Sequence, residues 1–261
     1  MLKFSAHEYP YPSQRQCVFA RRGMVAASQP LAAQAGIEIM QKGGNAIDAA
    51  IATAAALTVV EPTGCGLGGD AFALVWCKGQ LHGLNGNGHA PAAVSIEAVK
   101  AAGHEQMPLY GWTPVTVPGC PSAWAELSQR FGKLPFAELL QPAISLARDG
   151  FPLSPGVAHQ WQVALDEFSP HRDPVLEAWF ETFLIDGRTP QAGEVFRNPA
   201  QARTLEELAA TRCESLYRGA LAERLDAHSR ATGGYLRATD LNGYRAQWVE
   251  PIHINYRGVD V

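Results

Sequence analysis

The sequence predicts a mixed α/β (α+β) fold, and three features of the chain predict it. Helical apolar spacing marks segments on both sides of a strand region, for example Pro30–Gln41 and Phe136–Asp149. Two apolar runs, Ala71–Cys77 and residues 81–85, are joined by Lys78-Gly79-Gln80 and read as a strand pair. Between helix and strand lies the glycine-dense elbow Thr63-Gly64-Cys65-Gly66-Leu67-Gly68-Gly69-Asp70, which permits left-handed angles and close approach of main chain.

Residues 1–22 read as an irregular arm that ends in a short strand at 24–27. Ser28 is placed to cap a helix with Pro30 in its first turn and Gln41 at its end. Leu31, Ala35, Ile39 and Met40 give that helix its apolar face. Gly43-Gly44 stop it, and Asn45 starts a second helix, Ala46–Val60. Its alanines (Ala49, Ala50, Ala52, Ala54, Ala55, Ala56) let it sit unusually near a neighbour. Asp48 falls in the first turn, where a carboxylate suits the positive end of the dipole, so capping or structural pairing is its expected duty. Glu61, at the unfavourable end, has no chemical role in this reading beyond pairing with an arginine elsewhere.

Beyond the strand pair, a short helix is expected at 96–102 and a strand at 115–117, closed by Pro118-Gly119. Helices follow at 121–131 and Phe136–Asp149. Residues 151–191, rich in prolines and scattered aromatics, read as a helical excursion packed over the body. Amphipathic helices are expected at 198–211 and 219–231, the second ending at Gly233-Gly234. Thr239 is read as the cap of a short helix to Tyr244, residues 248–254 as a strand, and 256–261 as the start of another. An apolar strand interrupted at Val261 leaves backbone groups in need of a neighbour, so a truncated polypeptide is expected.

Composition narrows the function classes. A chain of 261 residues, 47% hydrophobic and 18% charged, has material for a sizeable core, in one large domain or two small ones. The net charge of -4 and the absence of a basic run argue against nucleic acid or an anionic membrane as partner. Five cysteines without C-x-x-C spacing argue against a disulfide framework or structural zinc, and buried reduced thiols are the simpler reading. No apolar leader or membrane-length run is visible, which makes the cytoplasm the default location.

A series of motifs adds a more specific reading. They are Gly23-Met24-Val25-Ala26-Ala27-Ser28-Gln29-Pro30, Gly43-Gly44-Asn45-Ala46-Ile47-Asp48-Ala49-Ala50, Glu61-Pro62, Gly66-Leu67-Gly68-Gly69-Asp70 and Ala90-Pro91. Further along come Val117-Pro118-Gly119, Gln141-Pro142-Ala143, Gly193-Glu194, Leu216-Tyr217-Arg218-Gly219, Asp240-Leu241 with Tyr244, and Tyr256-Arg257-Gly258. In this order, over nearly the whole chain, they closely resemble the γ-glutamyltransferase family of N-terminal-nucleophile hydrolases. The resemblance implies an αββα sandwich of stacked sheets between helices, incomplete in this chain. Residues 1–261 then read as a single-domain fragment, the N-terminal portion of the family's large subunit, with a smaller C-terminal subunit missing. Homo-oligomer formation is left open.

The implied chemistry is amide hydrolysis or acyl transfer, without metal or cofactor. A threonine exposed by self-cleavage attacks the amide carbonyl, its own α-amino group acts as base, and water or an amine takes the acyl group. No threonine here aligns with that nucleophile, so no catalytic residue is assigned and the fragment alone is expected to be inactive. The large subunit of typical relatives supplies an arginine three positions before Ala-Pro, which binds the glutamyl α-carboxylate. Here that position is Asn87, and the residue just before Ala90-Pro91 is His89, as in a divergent branch of the family. Asn87 and His89 are therefore the candidate substrate-binding residues, against a simpler reading as turn and solvated-loop side chains. The substrate is a γ-glutamyl compound such as glutathione or, alternatively, another acyl amide of the glutaryl type. A non-catalytic binding module of the same fold is the third reading.

Rival motifs fail on spacing or order. A phosphate cradle at Gly64–Gly69 requires strand before and helix after, the reverse of what is predicted. Cys65 lacks a predicted activating histidine, and the histidines show no H-E-x-x-H spacing.

Overall fold

Helices α1 (Pro30–Gln41) and α2 (Ala46–Val60) lead into the body of the computed structural model, which describes residues 17–261. The expected arm at 1–22 lies outside the described residues as far as residue 16, and the expected strand at 24–27 is absent. Those residues lie along α1 and α2 instead, with Val25 against Gly36, and pair with no strand. Pro30 takes the first turn of α1 as expected, but the cap is Gln29. Its side-chain oxygen accepts from the Leu31 and Ala32 amides at 2.5 and 3.3 Å. Ser28 is diverted because its hydroxyl donates to the Glu61 carboxylate, which also gives Glu61 a serine partner in place of the expected arginine.

The small residues of α2 do allow close packing. A Cβ placed on Gly36 of α1 would lie 2.3 Å from Thr53 Oγ1 and 3.0 Å from the Ala49 carbonyl. Asn45 caps α2 through bonds from the Ile47 and Asp48 amides, and the fully buried Asp48 carboxylate accepts from the Asn45 amide at 2.9 Å. The same carboxylate accepts from the amides of Lys133 and Leu134, tying the start of α2 to a distant turn.

Strands β1 (Ala71–Cys77) and β2 (Gln80–Gly86) pair antiparallel across the expected Lys78-Gly79 turn. After α3 (Ile96–Ala101), capped by Ser95, no strand forms at 115–117. Pro114 and Pro118 flank those residues and offer no N–H, leaving one rung, Val117 N–H to the His89 carbonyl at 3.0 Å. Helices α4 (Cys120–Phe131) and α5 (Phe136–Asp149) follow.

Next come β3 (Phe151–Pro152), α6 (Pro155–Phe168), a 3₁₀ turn at Ser169–His171, α7 (Glu177–Phe183) and β4 (Val195–Phe196), which pairs with β3. Trp161 joins this stretch to the core, edge-on to Phe196 and Phe183 at 4.8 and 5.5 Å. Helices α8 (Pro199–Thr211), α9 (Glu214–Arg218), α10 (Ala220–Ala231) and α11 (Ala238–Asn242) complete the helical body. Thr239 lies inside α11 and is not its cap; the Asp240 carboxylate takes that role, accepting from the Arg237 amide at 2.9 Å.

Strand β5 (Gln247–Val249) adds to β2 and completes the sheet order β1-β2-β5. It is shorter than the expected 248–254 because Pro251 has no ladder donor. The terminal segment is a hairpin, β6 (Asn255–Tyr256) and β7 (Val259–Asp260), and not a single strand. Positive φ at both Arg257 and Gly258 reverses the chain there.

The core lies among α1, α2, α5 and α8, where Ile39, Ala52, Ala56, Leu140, Ile144, Leu205 and Leu208 are fully buried. In the register of the sheet, Val75, Leu84 and Trp248 share the face turned to this core. The alternate face presents Phe72, Leu74 and Trp76, each 69–71% exposed, with Leu81 and Val249. Among the described residues, no helix is long and apolar enough to cross a membrane.

Candidate active site

The loop carrying Asn87 and His89 leaves the sheet at Gly86, and glycines decide how closely it is backed. A Cβ on Gly119 would lie 1.8 Å from the Gly86 carbonyl oxygen, and one on Gly88 would lie 1.8 Å from the Val117 carbonyl oxygen. Side chains at either position would push the two segments apart, so residues 86–88 lie backbone to backbone on 117–119. The elbow joins them from a third side. Gly69 offers its carbonyl to the Gly119 and Cys120 amides at 3.0 and 2.9 Å, so the start of α4 is occupied by protein.

Within the loop, Asn85 accepts from the Asn87 amide at 2.9 Å, a turn-forming bond that accounts for that asparagine. Asp70 Oδ1 accepts from the Gly88 amide at 2.9 Å, and the Tyr244 hydroxyl donates to the Asn87 carbonyl at 2.9 Å. The Tyr244 ring also lies 5.8 Å from the His89 ring, centroid to centroid. Behind it, Tyr244 stacks on Tyr217 at 5.6 Å. The Tyr217 hydroxyl donates to the Pro118 carbonyl at 2.7 Å and accepts from the Ser122 amide at 3.0 Å. Downstream, Asp240 accepts from the Ala92 amide at 3.0 Å and so anchors the exit of the Ala90-Pro91 pair.

Both candidate residues thus share one fixed loop, and both are exposed on its open side. Asn87 presents a neutral carboxamide and His89 an imidazole, groups able to hydrogen-bond an acyl chain. Asp70, Tyr217, Asp240 and Tyr244 were not singled out from the sequence as parts of this site. Each stands inside one of the quoted motifs, but nothing local says that these motifs meet at one loop.

The surrounding thiols and phenols are held protonated. Burial, with Cys65 and Asp70 nearby, pushes the Cys120 thiol up to about 12, and burial with Asp70 and Cys120 pushes the Tyr244 phenol up to about 12. Burial and then Glu61 raise the Cys65 thiol, which disfavours the nucleophilic thiolate. The elbow runs from helix α2 to strand β1, the order that excludes the phosphate cradle. Among the described residues, no group of three or more His, Cys, Asp or Glu side chains is arranged to hold a metal ion.

The family model described as Gamma-glutamyltranspeptidase matches residues 32–261. The chain belongs to this family. The γ-glutamyltranspeptidase resemblance drawn from the motifs is therefore borne out, and so is the mixed N-terminal-nucleophile hydrolase fold. The crystal structure of cephalosporin acylase from Bacillus halodurans superposes with a TM-score of 0.93 at 55% identity, covering 99% of this chain and 49% of that one. The glutathione hydrolase-like YwrD proenzyme of Bacillus subtilis (strain 168) is 33% identical over 249 residues, 94% of this chain and 46% of that protein. The acylase ACY 1 proenzyme of Pseudomonas sp. (strain SE83) is 36% identical over 250 residues, 92% of this chain and 44% of its own length. The chain thus spans about half the length of the curated relatives it matches.

Proposed function

We propose that the full-length protein is an amide hydrolase or acyl transferase whose nucleophilic threonine lies in polypeptide beyond these residues. The observation that carries this reading is the loop with Asn87 and His89, exposed and closely backed by residues 117–119, which the glycine elbow joins at Gly69. Asn87 and His89 bind the acyl end of the substrate. The threonine hydroxyl forms an ester with the acyl carbon, the amide C–N bond breaks, and the leaving amine takes the hydroxyl proton. Water or an acceptor amine then releases the acyl group and restores the hydroxyl. The same downstream polypeptide covers the apolar sheet face of Phe72, Leu74 and Trp76, supplying the second sheet of the sandwich.

Two acyl classes compete. A γ-glutamyl substrate such as glutathione is supported by the relative named glutathione hydrolase-like. A non-glutamyl acyl amide is favoured by the neutral Asn87 and by likeness to proteins named acylases. The test is Asn87→Arg in the full-length protein, assayed on γ-glutamyl and glutaryl anilides. A charge-assisted bond to the α-carboxylate contributes about 1.5–3 kcal/mol, so kcat/KM for γ-glutamyl anilide should rise roughly 10- to 100-fold. An unchanged substrate preference would remove Asn87 from the acyl pocket.

A further inference from the structure

The peptide unit joining Asn87 to Gly88 is held at both polar ends. Its carbonyl accepts from the Tyr244 hydroxyl at 2.9 Å across 157 residues of sequence, and its N–H donates to Asp70 Oδ1 at 2.9 Å across 18. A peptide can rotate about its flanking bonds without moving the rest of the loop, and such a flip would break both bonds at once. Glycine at position 88 leaves that flip open to the isolated loop, because it tolerates either sign of φ. Neither partner is itself loose. Tyr244 is stacked on Tyr217, which is bonded to Pro118 and Ser122, while Asp70 begins where the elbow meets β1.

We propose that Asp70 and Tyr244 are positioning residues that lock the Asn87–Gly88 peptide in one orientation, so that the Asn87 and His89 side chains face the acyl group from a preformed loop. This rests on the assignment of that loop to the acyl pocket. A preformed loop binds without first losing conformational freedom, so the lock acts on substrate affinity and not on the chemical step. The Tyr244 hydroxyl is suited to the work because a phenol is protonated, hence a donor, through the neutral range, and burial beside Asp70 and Cys120 extends that range upward. Asp70 is needed for an oxygen acceptor and not for its charge, which separates it from a residue that pairs with a cationic substrate.

The experiment uses the full-length protein with Tyr244→Phe, Asp70→Ala, Asp70→Asn and the Phe/Ala double variant, assayed on whichever acyl anilide the wild type turns over. Tyr244→Phe and Asp70→Ala should each raise KM about tenfold while kcat changes less than threefold. Asp70→Asn, which retains the acceptor oxygen, should restore KM to within about threefold of wild type. Because one peptide is being held, the double variant should fall well short of the product of the single effects. Hydrogen exchange at the Gly88 amide should accelerate in Asp70→Ala and remain slow in Asp70→Asn. If Asp70→Ala fails to fold, Tyr244→Phe and Asp70→Asn carry the test. Unchanged KM in an active Tyr244→Phe enzyme, or an Asp70→Asn enzyme no better than Asp70→Ala, would overturn the lock alone. A wild-type protein inactive on every acyl amide would instead overturn the pocket assignment on which the lock depends.

Discussion

Replacing Asp48 by alanine removes one carboxylate from three backbone donors contributed by two separate stretches of chain. The Asn45 amide lies 2.9 Å from Oδ2, Leu134 lies 3.3 Å from the same oxygen, and Lys133 lies 3.0 and 3.1 Å from Oδ1 and Oδ2. Hydrogen bonds to a charged acceptor contribute about 1.5–3 kcal/mol each. Three of them set a gross range of about 5–9 kcal/mol. The donors belong to residues that are not fully buried, so water can reach part of the vacated space and trim the loss. A net cost of about 3–4 kcal/mol follows, close to that for breaking other buried charge networks. In a protein the length of the curated relatives, about twice this chain, that lowers Tm by about 3–4 °C. Asp48→Asn can keep an oxygen at the Oδ2 position for all three donors, but its NH2 then faces the Lys133 N–H at the Oδ1 position, so it loses the charge assistance and part of the Lys133 bond and should cost about 2–3 kcal/mol. Differential scanning fluorimetry of the full-length wild type and both variants gives the comparison. An Asp48→Ala protein within 2 °C of wild type, or one no less stable than Asp48→Asn, would show that these bonds do not tie α2 to the turn before α5.

Two further outcomes follow from the loop and its backing. Gly119→Ala forces a Cβ to within 1.8 Å of the Gly86 carbonyl oxygen and 2.7 Å of the Tyr244 hydroxyl. The segments must separate, at a cost of about 1–3 kcal/mol, and substrate affinity should fall with stability; urea unfolding and KM measure the two effects. Cys120 has its folded-state value raised above that of the unfolded chain, so its contribution is complete below the ordinary thiol range and is lost as pH climbs towards about 12. Denaturation midpoints should therefore decline between about pH 9 and 12, and Cys120→Ala should flatten that decline.

Much of the chain was legible without its three-dimensional structure because the signals were local. Gly43-Gly44-Asn45 stop one helix and cap the next within three residues, and Lys78-Gly79 turn β1 into β2. The order helix, glycine elbow, strand was readable for the same reason, as were the family motifs and the neutral Asn87 in an arginine's place. Where local signals competed, tertiary contacts decided. Ser28 was a fair cap until Glu61 captured its hydroxyl from 33 residues away, leaving Gln29 to the helix. Residues 24–27 had strand character but met helices and not a sheet edge, and the apolar run at 256–261 folded back on itself at Arg257-Gly258.

The site divides along the same line. Sequence placed Asn87 and His89 in one loop, since two residues apart is already a spatial statement. It could not say that Asp70 and Tyr244 hold the two ends of a single peptide there, because a hydrogen bond across 157 residues depends on how whole helices pack before it depends on either partner. Residue types and short spacings therefore specify which turns and helices form. The packed core specifies which of the remaining polar groups meet, through distances that no linear pattern contains.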